Sequence, residues 1–295
     1  MPEPPMTNPA EIRAFYAQPA AMTALPHGLA DAAPSDVAGV FALVQGLMMH
    51  QFWAGAYGET LTDARIAQTH TRSSVAMLEL ARGLDDAPLR EARPPARRVI
   101  GVCRHFSVLA VALLRQHGIP ARARCGFGLY FDGSGVDHWV VEYWDDAAGA
   151  WRLGDAQLDG VQRAALKPPF DPLDVPRDQF LVAGEAWRRC RAGEADPMSF
   201  GIMDMHGLWF VAGNLVRDIA SLNNAEMLPW DVWGPMPQPG EAPDGAALAR
   251  FDAAAELSRE PDAHFGDLRA LYDGPGGWRV PSQVFNAVAQ RTDAV

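Results

Sequence analysis

Residues 101–131 read GVCRHFSVLAVALLRQHGIPARARCGFGLYF, and they change periodicity halfway. From Cys103 to Gln116 the apolar residues Phe106, Val108, Leu109, Val111, Leu113 and Leu114 are nearly continuous, which predicts a helix buried on most sides. His117-Gly118 closes it, with Gly118 as the left-handed residue past a helix end. Ile119-Pro120 then begins an extended run, ARARCGFGLYF, whose alternation predicts a strand. A Gly-rich turn over 132–135 leads to DHWVVEYWD (137–145), a second strand, and after Ala148-Gly149 comes AWRLGDAQ (150–157), a third. One helix followed by antiparallel strands is the expected nucleus.

Upstream, Val40, Leu43, Val44, Leu47 and Met48 recur at helical spacing after an N-cap at Ser35-Asp36, and Val75, Leu78 and Leu80 begin a second amphipathic run. Between them lies HQFWAGAYG (50–58), where aromatics crowd around small residues. Downstream, a proline-rich connection (167–176) precedes helix-like stretches at 179–191 and 206–222, then 244–256 and a shorter one at 281–289. The expected organisation is a partly ordered arm over 1–34, a catalytic domain over 35–234, and a C-terminal extension over 235–295 that packs on the core.

Composition narrows the possibilities. The chain has 295 residues, 48% of them hydrophobic and 21% charged, which is ordinary for a globular protein. A net charge of −11 opposes phosphate backbones and anionic lipid, so neither nucleic acid nor membrane is an expected partner. The opening MPEPPMTNPAEIRAF has no basic n-region and no apolar h-region, and a cytoplasmic location is expected. Cys103, Cys125 and Cys190 are too few for a disulfide framework. No CxxC or HxxxH spacing suggests zinc, and no cofactor is expected.

A thiol reacts as thiolate, and a helix N-terminus favours the anion, so Cys103 is placed for nucleophilic work. His138 and Asp155, on successive strands joined by a tight connection, are the candidates for base and for the carboxylate that orients it. Cys125 and Cys190 read as structural thiols, and His105, His50 and His70 as structural or surface histidines. Asn214, Arg217 and Asp218 share a helix face and read as an internal hydrogen-bonded ion pair. Trp230 and Trp233 read as packing.

These residues together resemble the transglutaminase-like members of the papain-like cysteine enzymes. In that family a Gly-x-Cys begins the central helix, a leucine-rich segment ends in Gly-Ile-Pro-Ala-Arg, a His with a nearby Trp follows on a strand, and an Asp closes the next strand. Here they appear as Gly101-Val102-Cys103, Leu113-Leu114 through Gly118-Ile119-Pro120-Ala121-Arg122, His138-Trp139 with Val141-Glu142-Tyr143, and Trp151 through Asp155. The resemblance implies an α+β fold with added helices on both sides of the core. It also implies acyl transfer or amide hydrolysis through a thioester on Cys103, acting on a peptide or small-molecule amide or thioester. The aspartate is followed by Ala156 rather than proline. The glutamine that supplies an oxyanion donor in the papain branch is absent from residues 95–100, which leaves Gln51 and Trp53, with Trp139, as candidates for oxyanion or substrate contacts. The competing reading is a non-catalytic binding or scaffold protein that keeps the fold.

Overall fold

A computed structural model describes residues 8–241 and 243–295. Residues 1–7 of the predicted arm lie outside the described residues. In chain order the elements are α1 (Pro9–Ala17), α2 (Val37–Leu47), β1 (Met48–His50), α3 (Asp63–Ile66), α4 (Ser74–Leu84), β2 (Val99–Gly101) and α5 (Cys103–Gln116). There follow β3 (Ala121–Gly128), β4 (Gly135–Asp145), β5 (Ala150–Gly154), α6 (Gly160–Leu166), β6 (Phe180–Val182), α7 (Ala183–Arg191), β7 (Phe200–Ile202) and β8 (Met205–His206). The chain ends with α8 (Leu208–Ser221), β9 (Asp231–Val232), α9 (Gly245–Arg259), α10 (Phe265–Asp273), β10 (Gln283–Asn286) and β11 (Arg291–Ala294). The fold class is α+β. The main sheet runs β6-β3-β4-β7-β8, with β5 also on β4.

Contacts divide the chain into two units, one of residues 16–123 and 139–177, the other of 1–15, 124–138 and 178–295. In the first, α5 is the core: every residue from Cys103 to Arg115 is buried. Asp36 caps α2 by accepting from the Gly39 amide, and α2 and α4 pack on α5. Arg122, at the end of the Gly-Ile-Pro-Ala-Arg run, is 2% exposed and donates to Glu142 Oε2 at 2.7 Å. Its guanidinium also lies 4.7 Å from the Tyr16 ring and 4.1 Å from the Trp151 ring, so charge and flat face are both used. Antiparallel β4 and β5 pair from Val141↔Gly154 to Asp145↔Ala150.

In the second unit α7, α8 and α9 pack on one another, and Phe251 meets Trp187 at a tilt and Trp278 edge-on. The buried ion pair joins Arg124, not Arg217, to Asp218: two guanidinium nitrogens reach the carboxylate at 3.0 and 2.9 Å. Asp218 also accepts from the Cys125 amide at 2.9 Å and the Ser258 hydroxyl at 2.6 Å. Arg217, one residue earlier, points elsewhere, as adjacent helical residues do, and donates to Asn214 Oδ1 and the Asp231 carbonyl. Trp233 is packing as expected, with its indole donating to the Trp278 carbonyl.

Two downstream expectations change. The stretch 179–191 is not all helix, because Phe180–Val182 pairs antiparallel with Gly126–Gly128 before α7 begins. The stretch 281–289 holds a strand, β10, where a short helix was expected. Helix α10, with aromatic and polar residues interleaved, had no sequence expectation at all. A three-residue apolar run such as Phe-Leu-Val has no period of its own, and only its partner strand decides its state.

Candidate active site

Strands β1 and β2 pair in parallel, with Met48 opposite Val99 and His50 opposite Gly101. Parallel strands leave a pair at the same end, so Gln51 departs from one strand where Val102 and Cys103 depart from the other. Gly101 is required there: a Cβ would fall 2.7 Å from the Met48 methyl and 2.9 Å from the His105 Cβ. Val102 takes the N-cap with extended backbone, φ −121° and ψ 174°, much as Asp36 does at α2 with φ −118° and ψ 157°, but the valine side chain has no oxygen to cap with. His105 reaches back instead, its Nδ1 accepting the Val102 backbone N–H at 3.1 Å. This fixes the His105 tautomer with the proton on Nε2. Burial, then the neighbouring Arg104 cation, pushes its pKa down from 6.5 to about 3, so the ring is neutral. Cys103 is the first helical residue and is 6% exposed.

Gln51 and Trp53, both half-buried, belong to a 3-10 turn over Gln51–Tyr57. Tyr57 ties the end of that turn down by donating to Asp159 Oδ2 at 2.5 Å, and Arg98 lies 3.8 Å from the same carboxylate and 5.6 Å from the Tyr57 ring. Burial, then the Asp159 hydrogen bond, raises the Tyr57 pKa, which keeps the hydroxyl a donor. An open groove of about 340 Å³ runs along the turn, lined by Gln51, Phe52, Leu61 and Ile66 among others.

Asp155 follows the last residue of β5 and is fully buried. Its amide donates to the Pro172 carbonyl at 2.7 Å and its Oδ1 accepts the Gln157 amide at 2.9 Å, a tight turn of the kind aspartate makes with the backbone two residues on. The proline-rich connection thus fixes the backbone of this carboxylate.

His138 lies on β4, 2% exposed, and belongs to the other unit. Three rings surround it edge-on: Phe131 at 4.9 Å, Tyr130 at 5.9 Å and Phe180 at 6.3 Å. Phe180 was hidden from the sequence reading inside an expected helix. Asp137, one residue earlier, accepts from Asn214 Nδ2 at 2.7 Å, and desolvation raises its pKa. Trp139 is fully buried, and strand alternation turns it to the face opposite His138. It is a core residue of β4.

Cys125 is fully buried, and burial pushes the half-buried Cys190 thiol up to about 11. Among the described residues no group of three or more His, Cys, Asp or Glu could hold a metal ion. No helix of the described residues is long and apolar enough to cross a membrane.

A buried helix led by Cys103, then a strand that carries His138 and a strand followed by Asp155, make a core of mixed α+β type. Residues 63–156 match the Transglutaminase-like superfamily model, so the chain carries a transglutaminase-like domain that includes Cys103, His138 and Asp155. A crystal structure from Cytophaga hutchinsonii, described as a candidate cysteine protease, is similar at 18% identity over 61% of this chain, with a TM-score of 0.34. This chain spans 48% of that one. No curated protein matches the chain.

Proposed function

We propose that the protein is a cysteine-dependent enzyme of acyl transfer or amide hydrolysis, with Cys103 as nucleophile, His138 as base and Asp155 as the residue that orients the imidazole. The observation that carries this is the position of Cys103 at the first residue of buried α5, within the segment matched by the family model. His138 lies on β4 and Asp155 follows the last residue of β5, and both fall within the segment matched by the family model, which supports the other two roles.

In the reaction the Cys103 thiolate attacks a carboxamide or thioester carbonyl, forming a C–S bond. The C–N or C–S bond to the leaving group breaks, and the His138 imidazolium gives that group its proton. Water or an amine then attacks the thioester while His138 takes the attacking group's proton, and the thiolate is released. The Cys103 backbone N–H is one oxyanion donor, and Gln51 is the candidate for the second, because β1 and β2 bring the two chains out at one end.

Intact-mass screening against a panel of amides and thioesters tests this. An adduct on the wild type, lost in Cys103→Ser, is expected. No adduct with any donor, or one that survives Cys103→Ser, contradicts it.

A further inference from the structure

The loop that follows β5 and the 3-10 turn that follows β1 are joined by an unbroken chain of hydrogen bonds inside one contact unit. Asp155 Oδ1 accepts the Gln157 amide at 2.9 Å, and the Gln157 side chain donates from Nε2 to Gln162 Oε1 at 2.9 Å. Gln162 is the third residue of α6, and its backbone amide donates to Asp159 Oδ1 at 3.1 Å, where Asp159 caps that helix. The other carboxylate oxygen, Oδ2, accepts the Tyr57 hydroxyl at 2.5 Å. Arg98, the residue before β2, lies 3.8 Å from the same oxygen. Asp159 therefore ties together α6, the last residue of the turn over Gln51–Tyr57, and the strand that leads into Cys103.

The turn is held at its other end too. His50 Nδ1 accepts the Phe52 amide at 3.3 Å, so Gln51 lies between two fixed points. A second tie runs beside the first: Gln45, on α2 three residues before β1, donates to the Ala156 carbonyl at 3.3 Å and the Leu158 carbonyl at 3.5 Å. Gln157 and Gln162 are 2% and 0% exposed. Burying amide side chains is costly beside apolar ones of the same volume. What the polar chain adds is direction, because hydrogen bonds fix a turn in one place where apolar packing lets it slide. An oxyanion donor acts only when it is held in place before the reaction.

We infer that Tyr57, Asp159, Gln157 and Gln162 are positioning residues, which fix the turn carrying Gln51 against the Asp155 loop so that Gln51 meets the oxyanion formed when Cys103 is acylated. The inference rests on the proposed acyl-transfer reading and names the residues that hold its second oxyanion donor.

The test compares two reactions of Cys103 in the full chain, followed by mass spectrometry. With p-nitrophenyl acetate the sulfur adds to the carbonyl carbon, the carbonyl oxygen takes the negative charge, and p-nitrophenolate leaves as the C=O bond re-forms. With iodoacetamide the sulfur displaces iodide from a saturated carbon and no oxyanion forms. An oxyanion donor therefore helps the first reaction alone, whereas a loosened fold or a lost thiolate slows both. Gln51→Ala should slow acetylation about a hundredfold and Tyr57→Phe roughly tenfold, with alkylation within about twofold of wild type. Gln51→Ala/Tyr57→Phe should be no slower than Gln51→Ala, because the hydroxyl acts through the donor. Gln157→Met/Gln162→Met, which removes both partners of the buried amide pair and nearly keeps their volume, should show the Tyr57→Phe pattern. The inference is overturned if Tyr57→Phe or the methionine pair acetylates like wild type, if both reactions slow together, if Gln51→Ala has no effect, or if the two losses multiply in Gln51→Ala/Tyr57→Phe. Those outcomes leave the acyl-transfer reading standing. If wild-type Cys103 is not acetylated, that reading fails and the inference with it.

Discussion

His105 Nδ1 accepts the backbone N–H of Val102 at 3.1 Å, so the imidazole two residues beyond Cys103 is committed to fixing the start of α5. A neutral ring is needed for that bond, and its pKa of about 3 lies below the 6.5 of a free imidazole. As pH falls, the unfolded chain therefore takes up this proton first. The stability from the neutral ring is fully present above about 6.5 and is lost progressively toward about 3. Glutamine at this third helical position makes the same return bond in ordinary capping boxes. His105→Gln should keep stability at pH 7.5 to within about 1 kcal/mol and flatten the loss between pH 6.5 and 4, read from urea midpoints.

Arg122 and Glu142 are both 2% exposed at the side chain, and Glu142 has a second partner in Arg177, which is 57% exposed. Removing the inner arginine takes away the buried cation of Glu142, while Arg177 lies at the surface. Arg122→Met should cost about 3 kcal/mol and Arg177→Met about 1 kcal/mol or less, measured by denaturant unfolding. Arg122→Lys should not rescue, because an ammonium cannot both stack between Tyr16 and Trp151 and reach Glu142.

Asp218 accepts from Arg124, the Cys125 amide and Ser258, joining β3 to α8 and α9. Asp218→Asn places an amide donor against some of these donors and leaves the Arg124 guanidinium buried without its carboxylate. A loss of about 3–5 kcal/mol is expected, against about 1 kcal/mol for Ser258→Ala, by the same denaturant measurement. Equal small losses would mean that Arg124 finds another acceptor.

The nucleus of the fold was legible because local signals agreed there. The apolar run predicted α5 to its observed ends, Gly118 takes φ 75° after it, and Asp36 caps α2. Legibility failed where long-range pairing decides: Phe180–Val182 is strand only because Gly126–Gly128 lies beside it. The same limit applies at the site. Cys103 at a helix start is a local feature, whereas the rings around His138 come from positions 130, 131 and 180. For the ion pair, helical spacing identified a polar face holding Asn214, Arg217 and Asp218 but not that Arg124 would supply the cation.

The most direct test of Cys103 as an activated nucleophile is its rate of alkylation by iodoacetamide as a function of pH, followed by mass spectrometry at each cysteine. Cys125 is fully buried, and Cys190, with its thiol pushed up to about 11, reacts slowly, so the Cys103 signal stands apart. Labelling of Cys103 at neutral pH should be fast in wild type and fall by roughly tenfold or more in His138→Ala, with Asp155→Asn between them. Slow labelling that rises only above pH 8, unchanged in His138→Ala, would contradict the account.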